Sequence, residues 1–428
     1  MVQSKVPREL WHRERRGREV NHERPKETPL YGLSSVSSSV IESAVVFLQF
    51  YKDGANQAGN GFFVNVPGAD KDVILTAGHN LIDEAKNRTK DLKAWWQGQA
   101  DWLKITDDMV RISKVYEAEP TAASAVSDFG VILLPKPTQR GEVRLAFGFS
   151  LKLAEEDELP TTLSITSYRA NANMGDRPTR SSGSCMNPIM NKNQLEYKVD
   201  TEAGVSGSAV WLGYNKYPTV VAIHNYGPRR KGVHYGSRGT RLNLVVLREI
   251  FDWAGVYNAD KHILAKSVSG PEPQHPLRFV YSPDDRQLRI VVGDSDGQRQ
   301  ALQRFDMLPV YSAPVVSPKP PSVEYGFSQV DANGLRHWVS WDVDRESASL
   351  ASALNRARSC RWEKKGKSGA AAMIVQWQGD LYEVIVKTDS SVVKPWDLDF
   401  PGAEFSGVAF QKQGDATPDS YKRFVLEP

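Results

Sequence analysis

From Ala44 onward the chain alternates short runs of Val, Ile, Phe and Tyr with polar, turn-forming stretches. The runs Ala44 to Tyr51, Gly61 to Val66, Val73 to Thr76, Met109 to Tyr116, Phe129 to Leu134, Thr161 to Tyr168, Leu195 to Val199, Ala209 to Gly213 and Thr219 to His224 have strand length and composition. Turn residues such as Asp53-Gly54, Pro67-Gly68 and Pro135-Lys136-Pro137 separate them, and helical periodicity is scarce. The pattern predicts an antiparallel barrel or sandwich. It ends in one amphipathic helix over Asn243 to Ala254, with Leu244, Leu247, Ile250, Phe251 and Ala254 on one face, Asn243 as its cap and Gly255 as its stop.

Before this region, residues 1–38 mix Arg, Lys and Glu and then run into serines, with no apolar period, and read as a flexible extension. After it, residues 259–276 carry Ser-Val-Ser-Gly-Pro-Glu-Pro and read as a linker. The remainder, 277–428, is expected to be a smaller α+β domain. Its strands are Leu277 to Tyr281, Gln287 to Val292, His337 to Val343, Met373 to Trp377 and Leu381 to Lys387. Helices are expected around Ala301, Leu302 and Phe305 and from Glu346 to Arg358, and a second, internal linker over 313–322. The domains are therefore 1–38, 39–258, 259–276 and 277–428.

Composition changes this picture little. The 428 residues, 40% hydrophobic, suffice for two or three cores, and 54 Lys plus Arg against 51 Asp plus Glu give no support for a nucleic-acid or membrane-surface partner. No apolar run approaches the ~18 residues of a membrane span. The N-terminal residues lack the apolar core of a secretory signal, so a cytoplasmic location is expected. Cys185 and Cys360 are far apart and read as free thiols, with no metal or other cofactor implied.

Three motifs carry chemistry. Gly204-Val205-Ser206-Gly207 holds a serine between glycines ahead of the apolar run Ala209 to Leu212. Such a turn exposes a hydroxyl and aims backbone N–H groups at one point, although alone it is also an ordinary glycine turn. His79, in Thr-Ala-Gly-His, follows the buried strand Val73 to Leu75 and suits a general base. Asp128 stands at the mouth of the strand beginning at Phe129; singly, it reads equally as a turn aspartate.

Taken together, the order His79, Asp128, Ser206 within a β-rich region resembles the chymotrypsin-like serine peptidases. The resemblance implies a double antiparallel β-barrel with a C-terminal helix over roughly 36–258, hydrolysing a protein or peptide substrate. Ser206 would be the nucleophile, His79 the base, Asp128 its orienting carboxylate, and the N–H groups of Gly204 and Ser206 the oxyanion hole. Ser208 is a rival nucleophile, but it has no glycine two residues before it.

The run from Gln194 through Gly-x-Ser-Gly-Ser to Val220-Val221-Ala222-Ile223-His224 resembles the bacterial glutamyl endopeptidase branch. This implies that Thr201 and His224 hold a substrate carboxylate, with Arg229-Arg230-Lys231 adding positive potential. Asn225 and Tyr226 stand on the strand edge that pairs with substrate, where Tyr226 would narrow the pocket rim. Ala209 replaces the family's usual proline. Asp200, six residues before Ser206, keeps cleavage after Lys or Arg open, and an inactive fold serving as a peptide-binding or regulatory module is a third reading. Glu23 and Glu27 are candidate autoprocessing sites. In the C-terminal part Trp338, Trp341, Trp362 and Trp377 read as core residues, or else as a surface for a protein partner.

Overall fold

The alternating apolar runs of the first half build two β-layers with the candidate residues at their junction. The computed structural model describes residues 35–139, 142–155, 159, 162–185, 192–199, 201–202, 204–227, 236–256, 264–267, 277–281, 287–292, 306–330, 333–344, 347–354, 357, 359–364, 371–378, 380–387, 404–412, 421–422 and 424–427. Helix α1 (Ser35–Ala44) takes up the last residues of the expected extension and buries Val40, Ile41 and Ala44. Glu23 and Glu27 lie outside the described residues.

Strands β1 (Val45–Lys52), β2 (Ala55–Val64), β3 (Lys71–Thr76), β4 (Lys90–Trp96), β5 (Leu103–Lys104) and β6 (Val110–Ile112) join β7 (Gly130–Pro135) in a seven-stranded sheet of order β5-β4-β1-β2-β3-β7-β6. The run Met109 to Tyr116 splits: β6 is only its middle, and helix α2 (Lys114–Ala118) follows, burying Tyr116. After β8 (Gly148–Ser150) and helix α3 (Leu151–Glu155) come β9 (Thr162–Ser167), β10 (Thr179–Cys185), β11 (Gln194–Lys198), β12 (Ala209–Tyr214), β13 (Tyr217–Tyr226) and β14 (Ser237–Arg241). These last six close into a barrel in the order β9-β10-β11-β14-β13-β12, with β12 returning to β9. Sheet and barrel form the double β-barrel plan of the chymotrypsin-like fold. Helix α4 (Leu244–Trp253) follows; Asn243 Oδ1 accepts from Val246 N at 3.0 Å, and Gly255 ends it at φ +70°.

The polar strands β10 and β14 have no apolar alternation to announce them. Ring closure makes them strands: Gly183 of β10 lies so close to β11 that an added Cβ would meet the Lys198 carbonyl oxygen at 1.7 Å.

Beyond β15 (Leu264–Ser267), β16 (Leu277–Tyr281) and β17 (Gln287–Val292) come β18 (Asp306–Ser312), β19 (Val323–Val330), β20 (Arg336–Asp342) and β21 (Ser347–Ala351), and further strands reach Glu427. Among the described residues every regular element after α4 is a strand. Where a helix was expected over Glu346 to Arg358, the described residues Ser347–Ala351 form strand β21. In the register with β20, Ala348 faces Trp341 and Ala351 faces Trp338, so the small side chains that favour a helix here make room for buried indoles. The helix expected around Ala301 falls outside the described residues. Trp338, Trp341 and Trp377 are buried and belong to the packing; the side chain of Trp362 is not among those described.

The stretch 313–322 is the connection of the β18–β19 hairpin, where an internal linker was expected; Ala313 N donates to Ser322 O at 2.9 Å. It is held against the first half. Strand β18 pairs with β8 through Tyr311 opposite Ser150 and Ser312 opposite Phe149. Asn65 Nδ2 donates to Ser312 Oγ (2.6 Å) and Ala313 O (2.8 Å). Leu308, Val310 and Trp338 share one buried cluster with the seven-stranded sheet. Among the described residues no helix is long and apolar enough to cross a membrane.

Candidate active site

Strand β3 ends at Thr76, and one 3-10 turn, Gly78–Asn80, swings the His79 ring to the junction of the two β-layers. Asp128 arrives from the other direction, after the 3-10 segment Ala122–Ser127 and just ahead of β7. The two meet: His79 Nδ1 lies 2.7 Å from Asp128 Oδ2, and His79 N donates to Asp128 Oδ1 at 2.9 Å. The carboxylate is fully buried while 23% of the imidazole side chain is exposed. Burial pushes the Asp128 carboxyl up, but the His79 ring together with hydrogen bonds from His79, Tyr226 and Asn225 outweighs it, and the carboxyl is held below its ordinary value. Asn225 Nδ2 also donates to the Asp128 backbone carbonyl, and its Oδ1 accepts from Thr240 N at 2.8 Å. Lys52 Nζ donates to the His79 carbonyl at 2.6 Å.

Ser206 stands on the turn before β12, half-buried, with Gly204 and Gly207 both at φ +87°. Gly207 has a second reason to be glycine, since a Cβ there would meet Asn60 O at 2.0 Å and Thr76 Oγ1 at 2.4 Å. The turn is clamped from both β-layers. Asn60 N donates to Ser206 O at 2.8 Å, and Asn60 Nδ2 to Gly204 O at 2.8 Å and Tyr168 O at 3.0 Å. Asn80 Nδ2 donates to Ser206 O at 3.0 Å, and Gly207 N to His224 O at 2.7 Å. With the backbone so held, the Gly204 and Ser206 N–H groups meet no acceptor among the described residues. The Ser206 hydroxyl donates to Asn225 O at 3.2 Å. Ser208 is fully buried with its hydroxyl on Val205 O at 2.6 Å, so it cannot serve as nucleophile.

On the barrel side, His224 of β13 is 1% exposed and its Nδ1 lies 2.7 Å from the Tyr197 hydroxyl of β11. Burial, with His79 adding a smaller push, lowers its pKa to about 3, so the ring is neutral near pH 7. Burial raises the Tyr197 hydroxyl well above its ordinary value, so that group keeps its proton. Thr201 Oγ1 lies 3.1 Å from Ser237 Oγ, which donates to Val199 O at 3.1 Å. A Cβ on Gly227 would sit 3.5 Å from the Thr201 hydroxyl, which places Thr201 beside the strand edge formed by Asn225 to Gly227. Asp200 and Arg229-Arg230-Lys231 lie outside the described residues.

The Tyr226 ring lies beside the pair, its centroid 5.6 Å from that of His79, with the Arg238 guanidinium 5.3 Å from the Tyr226 ring centroid. Sequence reading also passes over Asn60, Asn80, Tyr116, Tyr197 and Ser237. The clearest available signal was Asn60, an amide between Gly59 and Gly61 directly ahead of the apolar run Phe62 to Val64. Among the described residues no cluster of three His, Cys, Asp or Glu side chains could hold a metal ion. Cys185 and Cys360 are free thiols.

No known family model matches this sequence, and no curated protein matches it. Solved structures do. A thermostable serine protease, AL20, from an extremophilic microorganism matches over 51% of this chain and 100% of its own, with 13% identity and TM-score 0.40. A Glu endopeptidase matches over 54% and 96%, with 17% identity and TM-score 0.37. The tobacco etch virus protease matches over 49% and 78%, with 14% identity and TM-score 0.35. These matches extend over about half of the chain.

Proposed function

We propose that this protein is a serine endopeptidase acting through His79, Asp128 and Ser206. The observation that carries the reading is the 2.7 Å contact between His79 Nδ1 and a buried, ionised Asp128, beside a serine turn whose two N–H groups are unengaged among the described residues. In the reaction, Asp128 holds the His79 tautomer with Nε2 unprotonated. Ser206 Oγ, rotated away from Asn225 O, passes its proton to that nitrogen as it attacks the peptide carbonyl. The Gly204 and Ser206 N–H groups receive the oxyanion. His79 then gives the proton to the leaving amine, and water repeats the sequence on the acyl-enzyme. Catalytic hydrogen bonds of this kind commonly tighten only when substrate is bound.

The substrate is a protein or peptide, with an acidic residue before the scissile bond. Supporting this are a neutral His224 whose Nδ1 is occupied by the Tyr197 hydroxyl, which leaves Nε2–H to donate, and the Thr201 and Ser237 hydroxyls, 3.1 Å apart. A carboxylate entering a buried pocket needs such donors. Cleavage of a random peptide library with mass-spectrometric readout tests activity and specificity together. Cuts after Glu that disappear in Ser206→Ala are expected, and cuts after Lys or Arg would transfer the specificity role to Asp200. Complete absence of cuts and of fluorophosphonate labelling at Ser206 would leave a peptide-binding module in place of the enzyme.

A further inference from the structure

Asn60 lies on β2 of the seven-stranded sheet and is fully buried, yet its carboxamide reaches into the barrel side of the site. Its Oδ1 accepts from Tyr168 N at 2.7 Å while its Nδ2 donates to Tyr168 O at 3.0 Å, so the side chain pairs with the Tyr168 backbone much as a neighbouring strand would. The second Nδ2 hydrogen goes to Gly204 O, 2.8 Å away, and with it both donors of the amide are engaged. The main chain of Asn60 adds two bonds. Its N–H donates to Ser206 O at 2.8 Å, and its carbonyl accepts from Thr76 Oγ1 at 2.6 Å.

The planarity of the peptide unit carries these contacts to the two N–H groups of the turn. Ser206 N–H shares a plane with Val205 O and points the opposite way. Val205 O accepts from Ser208 N at 3.1 Å and from Ser208 Oγ at 2.6 Å, which fixes the aim of that N–H. The preceding unit, Gly204 C=O with Val205 N–H, joins it to Gly204 and is held by Asn60 Nδ2. Gly204 itself, at φ +87°, has no side chain to resist rotation. We propose that the Asn60 carboxamide is a positioning residue for the oxyanion hole, tying Gly204 O to the Tyr168 backbone so that the Gly204 and Ser206 N–H groups keep a common aim. This rests on the peptidase reading of the site. Donors stabilise an oxyanion best when they need not reorient as its charge develops. Without the carboxamide the Gly204–Val205 unit is free to rotate, and the cost of fixing it falls on the transition state. The hydrogen bonds of Asn60 go to neither His79 nor Asp128, so the proton-transfer pair keeps its properties.

The test compares wild type, Asn60→Ala and Thr76→Val in the full-length protein, with folding checked by circular dichroism. For Asn60→Ala, kcat on the best library peptide is expected to fall by about tenfold to a hundredfold, with KM changed by less than about threefold. A peptidyl aldehyde reports on the hole itself. Ser206 Oγ adds to its carbonyl carbon, the hydroxyl proton passes to His79, and the former carbonyl oxygen takes the oxyanion position. Its affinity should fall in step with kcat/KM, while that of the matching peptidyl alcohol, which forms no adduct, should hold. The acid limb of the kcat profile should stay in place. If Asn60→Ala does not fold, Thr76→Val decides: it keeps the side-chain shape, removes the hydroxyl that holds Asn60 O, and should give the same pattern with a smaller loss. An unchanged kcat, a shifted acid limb, or equal losses of aldehyde and alcohol affinity, the mark of a collapsed pocket, overturns the proposal and leaves the peptidase reading standing. A wild type that neither cleaves nor labels with a fluorophosphonate overturns that reading and the proposal with it.

Discussion

The candidate site contains two histidines, one from each β-layer, and their surroundings differ in charge and in access to solvent. His79, on the seven-stranded sheet, is partly exposed and faces a carboxylate, so an imidazolium formed there meets an anion. His224, in the closed barrel, is buried against a tyrosine hydroxyl, and among the described residues no carboxylate is paired with it. The first can shuttle a proton; the second can only donate or accept a hydrogen bond. In the proposed reaction the same side chain thus serves as a base or as a neutral recognition group according to whether its partner is charged and whether water reaches it.

Experiments that remove one side of this contrast at a time should give effects of very different size. Ser206→Ala, which takes away the proposed nucleophile, is expected to lower kcat/KM by about a million-fold and to abolish fluorophosphonate labelling, as measured with the best library peptide. Asp128→Asn leaves His79 without its anion and should lower kcat by roughly ten-thousand-fold with the fold retained by circular dichroism. On the recognition side, Tyr197→Phe frees His224 Nδ1 and lets either tautomer form. The kcat/KM for peptides with Glu before the scissile bond should fall about tenfold, measured against wild type on the same peptides.

The smallest effect is on stability. His224 has its pKa lowered from 6.5 to about 3 in the folded protein, so between those values the unfolded chain binds more protons than the native one. The contribution of a neutral His224 is therefore complete above about pH 6.5 and is lost as pH falls toward about 3. Asp128, also lowered from 3.8, acts only at the acid end of that range and below. Thermal melts from pH 7 to pH 4 should accordingly show a shallower decline in Tm for His224→Gln than for wild type. Parallel declines would mean that His224 is not buried as a neutral ring.

Much of the first half is legible from its residues because each apolar run is long enough to declare its own state. Strands β1, β3, β7, β9, β11, β12 and β13 and the capped helix α4 coincide with runs of β-branched and aromatic side chains or with a clear helical face. The runs that mislead are those whose state depends on a distant partner. Ala348 and Ala351 favour a helix locally, and only Trp341 and Trp338 across the register make them a strand. Strands β10 and β14 are polar and exist because a barrel must close. The stretch 313–322 reads as a linker by its prolines, and the pairing of β18 with β8 turns it into a hairpin held to the first half.

The candidate site divides the same way. The amino-acid order alone determines that a histidine, an aspartate and a serine in glycine-rich surroundings each adjoin an apolar strand, and that Thr201 and His224 stand at set distances from Ser206. Whether those groups meet, and with which partners, is a long-range matter. The His79 ring on a fully buried Asp128, the Asn60 and Asn80 amides that hold the Gly204–Gly207 turn and the Tyr197 hydroxyl on His224 are contacts between segments far apart in the chain. Local composition sets what a residue can do chemically. Its charge state, tautomer and aim come from the groups the fold packs around it, and only the tertiary structure supplies those.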